Sequence, residues 1–208
     1  MKFGKKYVTQ GELGKGDMNV YFYVAPSIQP SHKDAIYQAI MEFVNQTSGK
    51  KDWFKVSERP WTDVKDIVEQ QPNNVCDLVD LHEIYYKDKL EQLHKNIKTP
   101  FTTIVALTDY NSPSNGAGTP SSKHTLVKDL MYINHLKSTV KHELGHRFGC
   151  GHCTGNCIMN PSGVGTHFCS NHLKTIQTTI ADLYLKTRPK ENKENTDITF
   201  TFGEPRKY

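Results

Sequence analysis

Residues 142–152 read His-Glu-Leu-Gly-His-Arg-Phe-Gly-Cys-Gly-His, a spacing that fixes both a helix and the point where it must end. Histidines four residues apart lie one above the other on a helical face, so His142 and His146 can reach one metal ion together. Glu143, beside the first of them, is directed at a water on that ion rather than at the ion itself. Gly149 can adopt the positive φ that stops a helix and reverses the chain. The reversal returns His152 as a third ligand. Three protein ligands leave one tetrahedral position open, the arrangement of a catalytic zinc site. A lone histidine in such a segment is ordinarily a surface or hydrogen-bonded core residue. It is the ordered set of His, Glu, His, Gly and third His that points to a metal.

A second group of metal-type ligands follows directly. Cys153, Cys157, Cys169 and His172 form a Cys-x3-Cys-x11-Cys-x2-His series, with the residue types and spacing of a closed structural zinc site. His167 competes with His172 for the last place, but Cys169 and His172, at a turn leading into a helix, have the better spacing. Met159 lies inside the series, in Cys-Ile-Met-Asn-Pro. Zinc helix, glycine turn, third histidine and then a methionine on a tight turn is the metzincin order.

On these residues the chain resembles the archaemetzincins, whose motif runs H-E-x-x-H-x-x-G-x-x-H-C-x4-C-x-M-x17-C-x-x-C. The resemblance implies that His142, His146 and His152 hold a catalytic zinc, that Glu143 is the general base and that Met159 forms the Met-turn. It matches Cys153, Cys157 and Cys169 to three of the four structural-zinc cysteines. The chain departs from the motif in its x3 first gap, its x9 stretch from Met159 to Cys169, and His172 in place of the last cysteine. The match covers about thirty residues.

Composition adds limits. At 208 residues the chain suits one domain with a sizeable core. No run approaches the roughly twenty apolar residues that span a bilayer. The start, Met-Lys-Phe-Gly-Lys-Lys-Tyr-Val, is basic but has no apolar signal region, so a cytoplasmic protein without membrane contact is expected. Net charge is +4, with lysines and arginines scattered and no basic stripe interleaved with aromatics, so no nucleic-acid partner is indicated. Four of the five cysteines cluster between Cys150 and Cys169 among histidines, which in a reducing compartment reads as metal binding rather than disulfides. Cys76 and Cys150 are read as packing residues. His32, His82, His94, His124 and His135 are read as surface residues.

Along the chain, Met18–Ser27 reads as a buried strand ended by proline, and Ser31 as the N-cap of a helix whose stripe is Ile36, Ala39, Ile40, Phe43 and Val44, stopped at Gly49. Trp53–Val56 is a short strand, and a weaker helix runs through Val64, Ile67 and Val68. Leu78, Leu81 and Tyr85, then Tyr86, Leu90 and Leu93, form a helix whose stripe shifts midway. Phe101–Thr108 is the clearest strand; Asn111–Ser122 is the longest turn-rich stretch, of the kind that is functional or mobile. Leu130–Ile133 reads as a further strand leading into the zinc helix, which begins near Leu136. A last helix runs from His172 to about Lys186, and Ile198–Phe202 alternates like a strand.

Strands alternating with helices give an α/β class. The expected architecture is one compact metzincin-like domain over 1–188, with a tail over 189–208. Its twisted, mostly parallel sheet carries an antiparallel edge strand, and the zinc helix, Met-turn and C-terminal helix complete it. The expected activity is zinc-dependent hydrolysis of peptide bonds. Glu143 would act as base on a water activated by zinc, two zinc ions would bind each chain, and an edge strand between Thr119 and Ile133 would align a peptide or protein substrate on a monomeric enzyme. The alternative is a non-catalytic zinc-binding interaction module that keeps the fold; an intact Glu143 argues against it, because ligation alone does not need that carboxylate.

Overall fold

The computed structural model describes residues 18–47, 53–69, 77–96, 102–108, 112–119, 122–162 and 165–187. All seven residues of β1, Met18–Val24, are buried, which requires both faces of the strand to be covered. Val20, Phe22 and Val24 point to one face and Tyr21 and Tyr23 to the other, as the two-residue period of a strand demands. β1 pairs in parallel with β2, Phe54–Glu58, and with β3, Thr102–Thr108. β3 pairs in parallel with β5, His124–Lys128, and β4, Gly116–Gly118, lies antiparallel on β5. The sheet order is β2-β1-β3-β5-β4, so the one antiparallel strand is an edge.

On the first face lie α1, Pro30–Thr47, α5, Ile133–Arg147, and α6, Ser170–Thr187. Ile36, Ile40 and Phe43 of α1 share one core with Val140 and Leu144 of α5 and Ile176 and Ile180 of α6. Phe43 stacks on Phe148 at the end of α5, with ring centroids 5.4 Å apart. Proline opens α1 at a position where its missing N–H has no helical partner to lose, one residue ahead of the expected Ser31 cap.

The opposite face is covered by α2, Lys65–Val68, α3, Leu78–Leu81, a π-helical segment His82–Tyr86, and α4, Lys87–Asn96. Asp77 caps α3 by accepting from Val79 N at 2.8 Å. The stripe shift in the sequence is this π segment. It sets the buried Tyr86 five positions after the buried Leu81 and resets the phase so that Leu90 and His94 follow on the buried side.

That reset overturns part of the histidine reading. His82, His94 and His124 are not surface residues; each is no more than 2% exposed. His94 falls one turn after Leu90 on the re-phased stripe, and His124 sits on a strand covered on both faces. Ser122 Oγ lies 2.8 Å from His124 Nδ1 and 3.3 Å from His82 Nε2, and Glu91 Oε2 lies 3.3 Å from His124 Nε2. Both ring nitrogens of His94 are buried without a hydrogen-bond partner among the described residues. His32 is half-buried and bonds Asp129 at 2.6 Å.

Two strand expectations are also corrected. Leu130–Ile133 is not a strand: Tyr132 caps α5, which starts at Ile133, and Met131 and Tyr132 are 78% and 69% exposed, so of this apolar run only Leu130 joins the core. The edge strand lies at Gly116–Gly118, before the expected span and inside the turn-rich stretch. Gly49, Cys76, the 188/189 boundary, the tail and the strand at 198–202 lie outside the described residues. No described helix is long and apolar enough to cross a membrane.

Burial lowers the pKa of His94 to about 4 and of His124 to about 3. Above pH 6.5 both folded and unfolded chains hold these rings neutral, so they leave stability unchanged. As pH falls below 6.5, the unfolded chain takes up protons that the folded chain refuses, and stability declines down to about pH 4. Urea unfolding at about pH 7.5 and about pH 5 should show that decline, and His94→Leu should remove its share, leaving that of His124, with neutral-pH stability equal or higher.

Candidate functional site

α5 ends in a turn that its sequence dictates. Gly149 has φ +94°, a backbone angle that side-chain-bearing residues rarely adopt. Gly149 N donates to His146 O at 3.0 Å and Cys150 N to Gly145 O at 2.9 Å. These two bonds are the paired closures of a Schellman motif, and they send residues 150–159 back along the helix. His152 returns on this loop to His142 and His146. The three Nε2 atoms stand 3.0 Å (142 to 146), 3.1 Å (146 to 152) and 3.3 Å (142 to 152) apart.

The loop also fixes which nitrogen faces inward. His142 Nδ1 donates to Ile158 O at 2.7 Å and His146 Nδ1 to Cys150 O at 2.8 Å. Carbonyls only accept, so both protons sit on Nδ1 and both Nε2 atoms present lone pairs. Two lone pairs 3.0 Å apart with no proton between them repel unless a cation lies against them. Burial, with His146 and His152 adding to it, lowers the His142 pKa to about 4 despite the bond to Ile158; burial lowers that of His146 too. Both rings are therefore neutral at pH 7, as ligation needs. Tetrahedral zinc bonded at 2.0–2.1 Å would separate its nitrogens by about 3.3 Å, which this triangle fits.

Glu143 turns the other way, toward β4. It is 6% exposed, and burial pushes its carboxyl up to about 8. A Cβ on Gly116 would stand 2.6 Å from Glu143 Oε1, and one on Gly118 would stand 3.1 Å from Oε2. The Gly-Ala-Gly of β4 is thus what lets the strand lie against this side chain. Only the richness of that stretch in glycine signals the role in the sequence, and nothing there marks it as a strand. Glu143, the three histidines, Gly116–Thr119 and the half-buried His135 line a cleft of about 500 Å³, closed on its other sides by Ser138, Asn160 and Pro161.

A second ligand group lies behind the loop. One ligand atom from each of Cys153, Cys157, Cys169 and His172 falls within 4.8 Å of the others. His172 Nδ1 is 3.4 Å from Cys157 Sγ and 3.2 Å from Cys169 Sγ. Cys157 Sγ accepts from the backbone N–H of Met159 at 3.4 Å and of Cys169 at 3.2 Å. Three thiolates and one imidazole suit zinc and would carry net negative charge, which the N-terminus of α6 stabilises. His167 is exposed, pairs with Thr166 Oγ1 at 2.8 Å and stands outside the group. Cys150 is buried and outside it as well; burial raises its thiol to about 12, and its contribution to the cleft is its carbonyl.

Met159 is fully buried beneath α5. A Cβ on Gly145, between the two helix histidines, would stand 2.4 Å from Met159 Sδ and 3.1 Å from Phe168. Alanine is the better helix former by about 1 kcal/mol. Gly145→Ala should nonetheless lower the melting temperature, with overpacking of about 1–3 kcal/mol outweighing the helix gain; a thermal melt of the two proteins decides the sign.

A family model described as Peptidase family M54 matches residues 122–177. A search of curated proteins finds no match. Among solved structures the chain is similar to the archaemetzincin of Methanopyrus kandleri, at 17% identity and TM-score 0.55 over 82% of this chain and 99% of that one. It is also similar to metalloproteinase-II from Bacteroides fragilis, at 13% identity and TM-score 0.51 over 81% of this chain and 55% of that one. A chain in a chaperone–substrate complex matches at 11% identity and TM-score 0.50, over 84% of this chain and 36% of that one. At these identities the likeness is one of fold.

Proposed function

We infer that this chain, a member of the archaemetzincin family by its family-model match and its fold, is a zinc peptidase in which Glu143 is the general base. The observation that carries the reading is the convergence of three imidazole nitrogens within 3.3 Å of one another, in one cleft with a buried carboxylate. His142, His146 and His152 hold the ion through Nε2, and the carbonyls of Ile158 and Cys150 keep two of those rings aimed. Zinc bound there supplies a positive charge that polarises a peptide carbonyl and acidifies a water molecule.

The chain's own groups do the rest. Glu143 takes the proton of the attacking water on its carboxylate and returns it to the leaving amine, so one group serves as base and then as acid. The raised pKa of this buried carboxyl suits the return step, and the cation favours its charged form for the first. The substrate is a peptide laid along β4, whose outer edge carries backbone groups without a strand partner among the described residues. Cys153, Cys157, Cys169 and His172 hold a second, structural zinc that keeps residues 153–159 in place.

Two experiments test this. Glu143→Gln should keep its zinc, measured by elemental analysis, and lose peptide hydrolysis by about 10²–10⁴-fold; equal activity would remove Glu143 from the mechanism. Wild-type protein should carry two zinc ions per chain and the Cys157→Ser, Cys169→Ser double variant at most one, with a lower melting temperature and lower activity although no residue of the cleft has changed.

A further inference from the structure

One buried polar group beside the cleft has no role in the reading above. Thr125 lies on β5, opposite Gly118 of β4, and is 0% exposed. Its hydroxyl has no hydrogen-bond partner among the described residues. A buried hydroxyl left alone destabilises a fold, and valine would fill the same volume without that penalty. Such a group needs an explanation.

Its surroundings supply one. A Cβ on Gly118 would stand 3.4 Å from Thr125 Oγ1 and 3.1 Å from Glu143 Oε2. Hydroxyl and carboxylate therefore border the same side-chain-sized space, which stays open because residue 118 is glycine. Burial is the sole cause raising the Glu143 pKa, and the carboxylate has no hydrogen bond or ion pair of its own among the described residues. One atom is a donor lacking an acceptor; the other is an acceptor lacking a donor.

We propose that Thr125 is a positioning residue for Glu143: its hydroxyl donates to Oε2, directly or through one water lodged over Gly118, and leaves Oε1 to handle the proton. Glu143 carries three side-chain torsions, and its packing against the glycines of β4 is van der Waals contact that holds neither oxygen in a set direction. A bond to one oxygen fixes the plane of the carboxylate, and with it the direction of the other oxygen's lone pairs. The proposal rests on Glu143 being the base, but the contact itself does not.

The test pairs Thr125→Val, which removes the hydroxyl at constant shape, with Thr125→Ser, which keeps it. In the zinc-loaded protein T125V should lower kcat about tenfold, the loss expected for one hydrogen bond to a charged group, with KM and zinc content unchanged. T125S should recover most of the loss. A thermal cycle decides independently of activity. With Glu143 present, T125V should lower the melting temperature by about 2–4 °C; in a Glu143→Leu background, where the acceptor is gone, the same substitution should raise it. Stabilisation by T125V in both backgrounds would show an orphaned hydroxyl and overturn the proposal, whatever the rates. A wild-type protein that cleaves no peptide, with the sign reversal intact, would remove the peptidase reading and leave the Thr125–Glu143 contact standing.

Discussion

Two backbone carbonyls govern the histidine triangle, and the direction of its nitrogens depends on where they sit. An imidazole on a helix face has two soft torsions and two tautomers. The bonds from His142 to Ile158 O and from His146 to Cys150 O remove both freedoms at once, because they hold the ring and place the proton on Nδ1. Neither acceptor is on the helix. Both belong to the loop that Gly149 starts, so the φ of one glycine determines which nitrogen of two histidines faces the cleft. The same loop delivers His152. A substitution that moved this turn would misdirect three histidines without altering any of them.

A loop with that much to hold needs anchors, since it has no regular structure of its own. Its hydrogen bonds are those of turns, among them Cys153 N to Met159 O at 3.1 Å, Cys157 N to Gly155 O at 2.9 Å, Asn160 N to Cys157 O at 2.9 Å, and Ile158 N to His167 O at 2.9 Å. Met159 beneath Gly145 pins it from the helix side. The Cys153, Cys157, Cys169 and His172 group pins it from the other, at the start of α6. Ligand and anchor are neighbours in sequence at His152 and Cys153, so slack in the anchor reaches the third ligand through a single peptide bond. That adjacency couples the histidine cleft to the cysteine cluster behind it.

How much of this was legible in the sequence depended on period and length. β1, β3 and the long helices declared themselves through apolar spacing, and the metal-type groups through residue identity at fixed intervals, whereas β5, His124–Lys128, was missed and a strand expected at Leu130–Ile133 instead. The shift of stripe between Tyr85 and Tyr86 was visible too, although only the π segment explains it. β4 was not legible: three residues, Gly-Ala-Gly, have no side-chain alternation to read, and their strand character comes entirely from pairing with β5. His94 and His124 were misread for a related reason. A histidine's burial is set by the phase of its element against the core, and for His94 that phase was reset inside the helix it belongs to. Met131–Ile133 failed in the opposite direction, since apolar residues next to the buried Leu130 are themselves buried only when something packs on them.

The glycine strand and the buried glutamate are best understood as one unit. A carboxyl pushed up to about 8 is neutral at pH 7 and accepts no proton, unless a positive charge shares its cleft. The histidine triangle offers a place for that charge and cannot itself supply it, because burial and mutual proximity keep His142 neutral. Burying Glu143 therefore makes sense only beside a metal-type group. Close approach of β4 is what does the burying, and that approach is open only to residues without a Cβ at 116 and 118. An edge strand bearing larger side chains could still pair with β5, but it would stand off from α5, admit water around the carboxylate and return its pKa toward an ordinary value. The glycines of β4 thus set the proton affinity of Glu143 from across the cleft, which ties the edge strand to the carboxyl group it buries.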